Sequence, residues 1–386
     1  MLEFQITQLD TGSGARRGRL ATPRAVVETP VFMPIGTQGS VKALSQQEVA
    51  SLGYRLILGN TYHLHLRPGE ELIRRAGGLH RFIGWDGAIL TDSGGFQIFS
   101  LESRRRISDE GVLFRSHIDG SEHLFTPENV VDIQAALGSD IMMALDECPP
   151  YPCDRERARV AMERTHVWAR RALEHWQRRC SESPRRVGIG ALFGIVQGSV
   201  YPELRAESAA VIGGMPFPGV AIGGVSVGEP RELIEAVIQH TAPLLPAHKP
   251  RYLMGLGTPR DLLEAVAAGV DMFDCVLPTR LGRNGSAYTS RGRINLKAAR
   301  FTEDFGPIDP ECDAWCCRHY AAAYIRHLYK AGEILAARIL TYHNLAFYAR
   351  LMEGIRAALD TGTFSSFRAE WLNRLRDNGS GDDAGA

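Results

Sequence analysis

The feature that most constrains this chain is a short apolar run that recurs eight times, each time ending in polar or glycine residues. The runs are VFMPIGT (31–37), RLILGNTY (55–62), AILTDSGG (88–95), DIMMALDE (140–147), LFGIVQG (192–198), VAIGGVSVGE (220–229), RYLMGLGT (251–258) and MFDCVLPTR (272–280). Each reads as a strand buried on both faces, the character of parallel sheets. Helical patterns lie between most of them. VKALSQQEVASLG (41–53) ends on Gly53. TPENVVDIQAALG (126–138) has Thr126 as N-cap, Pro127 in the first turn and Gly138 at the close. Residues 154–180 are long, charged and amphipathic, and EPRELIEAVIQHT and TPRDLLEAVAAG follow the sixth and seventh strands. Eight strand–helix units over about 250 residues is the arithmetic of a (β/α)8 TIM barrel. A doubly wound open sheet, the alternative, rarely reaches eight such units.

Composition excludes several classes. Lys plus Arg is 44 and Asp plus Glu is 44 in 386 residues, so the chain is neither a polycation nor an acidic disordered polymer. No apolar run approaches the roughly 18 residues of a membrane helix. The start, MLEFQITQLD, lacks the pattern of a secretory signal. Seven cysteines, sparse and clustered late, fit a reducing cytoplasm with thiols or a metal site. A cytoplasmic protein without membrane contact is therefore expected.

Two stretches exceed a bare barrel. After the third strand, VLFRSHI and SEHLF flank Asp119-Gly120, a hairpin signal. After the eighth, residues 281–345 carry the late cysteines and a basic run, before a last helix at about 345–359. The expected organisation is a barrel over 1–280 plus 345–376 with an N-terminal cap, an inserted Cys/His subdomain over 281–344, and a disordered tail over 377–386.

Barrel chemistry collects at the C-terminal strand ends. Those ends supply Asp92, Asp146 and Glu147, Gln197, Gly223 and Gly224, Gly255 and Gly257, and Asp274. Several carboxylates without a ring of histidines suit a cationic transition state, as when a glycosidic bond breaks with one carboxylate as nucleophile and one as acid/base. Any single buried Asp could equally cap a helix or pair with a cation. Ser93-Gly94-Gly95 beside Asp92 fit close approach of a ligand and also a plain tight turn. From Arg280 to Arg300 there are six Lys/Arg and no acid, a surface for phosphates or simply a solvated face. Arg104-Arg105-Arg106 could extend it. Cys312, Cys316, Cys317 and His343 read as structural zinc or as buried thiols. Cys148 and Cys275 read as packing or pocket lining. His63-x-His65 would suit a metal-dependent hydrolase only with further histidines at later strand ends, and strands four to seven offer none.

The segments NTYHLHLRPG (60–69), TDSGGFQIFSL (91–101), ALDECPPYP (144–152), GIVQG (194–198), GGVSVGE (223–229), YLMGLGTP (252–259) and FDCVLPTRLGRNG (273–285) resemble, in order, the bacterial tRNA-guanine transglycosylase family. The match runs over about residues 2–360. The resemblance implies a pentosyltransferase built on a (β/α)8 barrel with a zinc-binding insertion. It would exchange guanine at the wobble position of GUN-anticodon tRNAs, those for Asp, Asn, His and Tyr, for preQ1. It would do so as a homodimer and without an organic cofactor. By that resemblance Asp274 is the nucleophile and Asp92 the general acid/base. Asp92, Ser93, Gly94, Gly95, Phe96, Asp146, Gln197, Gly224 and Met254 would bind the base, with Phe96 and Met254 sandwiching it. Gly255, Leu256, Gly257, Thr258, Pro259, Arg260 and Asp261, with Thr279, Arg280, Leu281, Gly282 and Arg283, would contact RNA. Val227 and Cys148 resemble the bacterial pattern that favours the small aminomethyl base. A non-catalytic tRNA-binding subunit is the competing class.

One departure concerns the metal. The family pattern C-x-C-x-x-C with a later His falls on Cys312, Cys317 and His343, but its middle position is Ala314. Cys316 is the expected substitute donor. A site completed by solvent, or one held by packing alone, remains open at this point.

Overall fold

A computed structural model describes residues 2–99, 105–182 and 189–376. Its centre is one parallel sheet. β1 runs over Val31–Met33 and Ile35–Gly36, interrupted at Pro34. β2 is Leu56–Gly59, β3 Ala88–Thr91, β4 Ile141–Met143, β5 Ala191–Val196, β6 Gly219–Ile222, β7 Arg251–Leu253 and β8 Met272–Asp274. Each strand pairs in parallel with its neighbours in sequence. The two halves of β1 face opposite ways round the ring: Met33 pairs with Asp274 of β8, and Gly36 pairs with Gly59 of β2. The expected barrel is thus observed, closed through the split first strand.

Every residue of β2 to β8 is buried, and alternation sorts the side chains. Leu56, Leu58, Leu90, Ile141, Met143, Phe193, Ile195, Tyr252 and Met272 fill the barrel. Ile57, Ile89, Met142, Leu192, Ile222, Leu253 and Phe273 face the surrounding helices. This layered filling makes the barrel a packed core with its rim left for chemistry.

Side chains of Ser45, Asn60, Thr126 and Thr258 cap helix starts among the described residues. Ser45 and Glu48 form a capping box on Gln46–Ser51. Thr126 caps Pro127–Leu137, and Gly138 ends it at φ 77°. The first predicted helix is shorter than 41–53 because Ala43 stands at φ 67° and Ser45 starts the helical turn. The long charged segment is one helix, Arg155–Glu182. The predicted last helix starts earlier than 345. It is Ile334–Asp360, continuous across the expected junction at 344/345, and Phe364–Arg376 follows it. The hairpin after β3 pairs Val112–Arg115 with Glu122–Phe125, and Arg105–Ile107 adds a third strand. Arg104 and the expected disordered tail lie outside the described residues. After β8, Ser286–Thr289 and Gly292–Asn295 form a second hairpin.

The N-terminal cap is a three-stranded antiparallel sheet, Glu3–Leu9, Arg16–Ala21 and Val26–Thr29. Leu20 and Val27 from it join the barrel interior. It is tied on by a buried ion pair. Arg16 donates to both oxygens of Asp271, at 2.9 and 2.5 Å, and to the carbonyls of Ala247 and Lys249. The backbone N–H of Arg251 also donates to Asp271, at 2.7 Å. Asp271 is fully buried and Arg16 is 3% exposed. Arg16→Met strands the carboxylate and is expected to cost about 3–5 kcal/mol, read from the urea midpoint. Asp271→Asn in that background should restore part of the loss, because the orphaned charge is then gone.

Candidate functional site at the strand ends

Asp92 follows β3 and lies against the turn after β2. Asn60 Nδ2 donates to its Oδ2 at 2.5 Å, and the backbone N–H groups of Thr61 and Gly94 donate to Oδ1 at 2.9 and 3.1 Å. Asn60 also caps Thr61–Leu66, accepting from His63 N, so one side chain starts a helix and holds a carboxylate. Burial outweighs these donors, and the nearby Asp274 charge adds to it. Together they push the Asp92 carboxyl up to about 7.

Asp274 ends β8, across the mouth from Asp92. Tyr252 Oη donates to its Oδ1 at 2.5 Å, and Gly255 N–H donates to the same oxygen at 2.8 Å. Oδ2 accepts no hydrogen bond among the described residues. Burial raises this carboxyl too, against both donors.

Asp146, after β4, accepts from Gln197 Nε2 at 2.6 Å and from Ser93 Oγ at 3.4 Å. Burial pushes it up to about 6. Gln197 is fully buried, and its Oε1 has no partner among the described residues. Gly224 sits at φ 65°, where a Cβ would lie 2.1 Å from that oxygen, so only glycine fits. A Cβ on Gly95 would meet Asp146 O at 3.0 Å. Phe96 opens the helix after β3 and is 55% exposed, an uncovered ring at the mouth; Met254 is partly buried against the barrel interior.

Glu147, expected among the rim carboxylates, turns away. It is fully buried in ion pairs with Arg157 and Arg164 of Arg155–Glu182, so its charge is already spoken for. Neither does His63-x-His65 assemble a metal centre among the described residues. His65 bridges Glu70 and His123 at 2.8 and 3.0 Å, and His63 packs edge-on to His117, which knits the hairpin to the helix after β2.

The residues expected at RNA divide into scaffold and surface. Thr258 and Asp261 form a capping box on Pro259–Ala267, with Pro259 in its first turn. Asp261 also pairs with Arg231 at 3.0 Å, and Arg260 pairs with Glu235. Gly255 stands at φ 73°, Leu256 is buried, and Gly257 lies against Cys275. In the helix Leu277–Arg283, Thr279, Leu281 and Gly282 are buried. A Cβ on Gly282 would clash with Thr341 of Ile334–Asp360. Arg280 and Arg283 are exposed and make no ion pair among the described residues. Arg283 is held below the usual guanidinium range by partial burial and by Arg280. All six basic residues of 280–300 are exposed.

Cys312, Cys317 and His343 form one buried group whose donor atoms all lie within 4.8 Å of one another. His343 Nε2 lies 2.7 Å from the carbonyl of Tyr288, which leaves Nδ1 for the sulfurs; Cys317 Sγ is 3.2 Å from it. Two thiols, an imidazole and a backbone brace on the far nitrogen suit zinc. Cys316, the expected substitute, is fully buried but is not in the group. Neighbours on a helix project about 100° apart, so with Cys317 facing His343 it points elsewhere.

Sequence reasoning missed Asn60, Tyr252 and Arg205. Asn60 directly follows β2 and Tyr252 stands one residue before the end of β7. Arg205 is fully buried and donates to the carbonyls of Ser199, Val196, Gly223 and Gly224 at 2.6–3.2 Å, fixing the loops that carry Gln197 and Gly224. Burial holds it down to about 10.

Comparison with known proteins gives the family. The family model described as queuine tRNA-ribosyltransferase matches residues 10–377. A queuine tRNA-ribosyltransferase of Pelotomaculum thermopropionicum is 57% identical over 375 residues, 97% of this chain and 99% of that one. One from Caldanaerobacter subterraneus subsp. tengcongensis is 54% identical, with 98% of each chain covered. One from Symbiobacterium thermophilum is 53% identical, over 97% of this chain and 91% of that one. With its barrel, its rim of carboxylates and this near full-length match, the chain belongs to the queuine tRNA-ribosyltransferase family.

Proposed function

We propose that this protein is a tRNA-guanine transglycosylase that exchanges the wobble guanine of GUN-anticodon tRNAs for preQ1 through a covalent intermediate on Asp274. The observation that carries the reading is the pair of carboxylates at the barrel mouth, Asp274 buried and Asp92 partly so, both raised, close enough for the Asp274 charge to act on Asp92, and each held by its own donors. In the first half, Asp274 Oδ2 attacks ribose C1′ as the bond from C1′ to guanine N9 breaks. Tyr252 and Gly255 hold Oδ1, which orients the attacking oxygen. Asp92 gives its proton to the departing base. In the second half, N9–H of the incoming base returns a proton to Asp92. N9 then takes C1′ and Asp274 is released. A carboxyl at about 7 serves both directions at neutral pH.

The base is recognised by its edge and its faces. Asp146 suits the N1–H and amine donors. Gln197 Nε2 spends one hydrogen on Asp146 and keeps the other for O6, with Gly224 N–H beside it. Phe96 and Met254 cover the ring, and the target base must leave its stack to reach them. Val227 and Cys148 narrow the pocket toward the small aminomethyl base, although the relatives' name specifies queuine. Arg280, Arg283 and the exposed basic run meet phosphates. Cys312, Cys317 and His343 are the residues that would hold a zinc ion, which when bound cross-links the insert and supplies nothing to the exchange. The homodimer belongs to the same proposal and is tested by the mass in solution.

Asp274→Ala is expected to abolish the covalent RNA adduct on a denaturing gel and to cut labelled-guanine exchange by at least about 10³-fold. Retained turnover would remove Asp274 from the nucleophile role. In single turnover, adduct formation should fall as pH rises through about 7, because the raised carboxyl of Asp92 then loses the proton it donates. Resolution of the adduct by free base should fall as pH drops through the same value. Gly224→Ala forces a methyl onto Gln197. It should raise KM for guanine at least about tenfold while leaving tRNA affinity unchanged. Competition between labelled preQ1 and queuine measures the base preference directly.

A further inference from the structure

The buried donor group in the insert is one ligand short. Structural zinc takes four donors in a tetrahedron, with bonds of about 2.3 Å to sulfur and about 2.0–2.1 Å to nitrogen. Among the described residues the group offers three, Cys312, Cys317 and His343. Each side chain nearby that could supply a fourth is committed or turned away. Cys316 is fully buried within the apolar core and outside the group. Asp309 has both oxygens engaged. Oδ1 accepts from Ser290 Oγ at 2.7 Å and Glu311 N at 3.1 Å, and Oδ2 from Ser290 N at 3.1 Å and Arg350 Nη2 at 3.3 Å. His319 is exposed, with Nδ1 on the carbonyl of Trp315 at 2.7 Å. Asp313 is exposed and outside the group. Ala314, between the two ligating cysteines, offers only a methyl group. It is partly exposed where the cysteines on either side are buried, so the loop meets solvent there. Its carbonyl accepts from Cys317 N at 2.9 Å and from Arg318 N at 3.2 Å, which fixes the loop against the helix Trp315–His319.

We propose that Cys312, Cys317 and His343 hold a zinc-type divalent cation by three protein bonds only, and that the fourth position is open to an exchangeable small soft ligand of the thiolate class. An incoming thiol loses its proton to solvent and displaces the resident solvent ligand. One metal–ligand bond replaces another, and nothing is oxidised or reduced. The site lies outside the barrel mouth, and its ligand exchange is read without tRNA or base.

The test uses the full chain stripped of metal and reloaded with Co2+, read by absorption, with Zn2+ affinity measured against a chromophoric chelator. One Co2+ per chain is expected, with thiolate-to-metal charge transfer of two-sulfur intensity. Adding β-mercaptoethanol should raise that intensity to a three-sulfur value. Cys316→Ser should leave both the spectrum and the response unchanged. Ala314→Cys should show the three-sulfur spectrum without added thiol, bind Zn2+ at least roughly tenfold tighter, and no longer respond to β-mercaptoethanol. A wild-type three-sulfur spectrum that falls in Cys316→Ser would overturn the proposal by making Cys316 the fourth ligand. So would a wild-type spectrum indifferent to thiol, or a wild-type chain that takes up no stoichiometric metal. These readouts do not involve tRNA, so failure of the exchange assay and failure of this proposal are separable.

Discussion

Everything at the active rim depends on the closure of one parallel hydrogen-bonded ladder. Pro34 has no N–H to give, and the chain uses that break to let a single strand serve two neighbours. Once the ring is closed, all eight strands point the same way. Four chemically unrelated stretches of chain then deliver Asp92, Asp146, Gln197 and Asp274 to one mouth. No loop has to find the site on its own. The side chains are set by strand register, and the packed interior beneath them resists displacement.

That same packing supplies the electrostatics. Three carboxylates share a water-poor rim, and the buried cation close behind them, Arg205, is committed to four backbone carbonyls. With no cation paired to them among the described residues, the acids at the mouth stay raised, and proton traffic near neutrality becomes available to Asp92. Outside the mouth the sign reverses, because the 280–300 run is basic and exposed. That distribution suits a polyanion outside the rim and a developing positive charge inside it.

The barrel was legible because strands buried on both faces write themselves as unbroken apolar runs, and the carboxylates because they stand where those runs stop. The N-terminal sheet was harder to read. Glu3–Leu9 is mostly exposed and carries no buried alternation strong enough to announce a strand. Residues 61–83 form three short helices, divided at Pro68-Gly69 and at Gly77-Gly78, so no long period survives. Arg205 was hidden in PELRAES, which reads as a solvated helix face, and its burial is decided by loops far away in sequence. Glu147 misled for the converse reason: its arginine partners lie in the first and third turns of the next helix. Tyr252 stood inside a recognised strand, but its partnership with Asp274 exists only once β7 and β8 are side by side.

The helix Ile334–Asp360 has a mechanical consequence. Along about 7.5 Å of its axis it presents His343 to the two cysteines, Asn344 to the hairpin backbone at Tyr288 and Ser286, and Tyr348 to the carbonyl of Gly257. Gly257 lies two residues from Gly255, whose N–H steadies the Asp274 carboxylate. Tyr54 grips the same helix from the barrel side through the carbonyl of Leu345. The Cys312/Cys317/His343 group and the Asp274 carboxylate are therefore bolted to a single beam and share one frame of reference. A tilt of the basic surface is passed along that helix to the Asp274 carboxylate as a displacement.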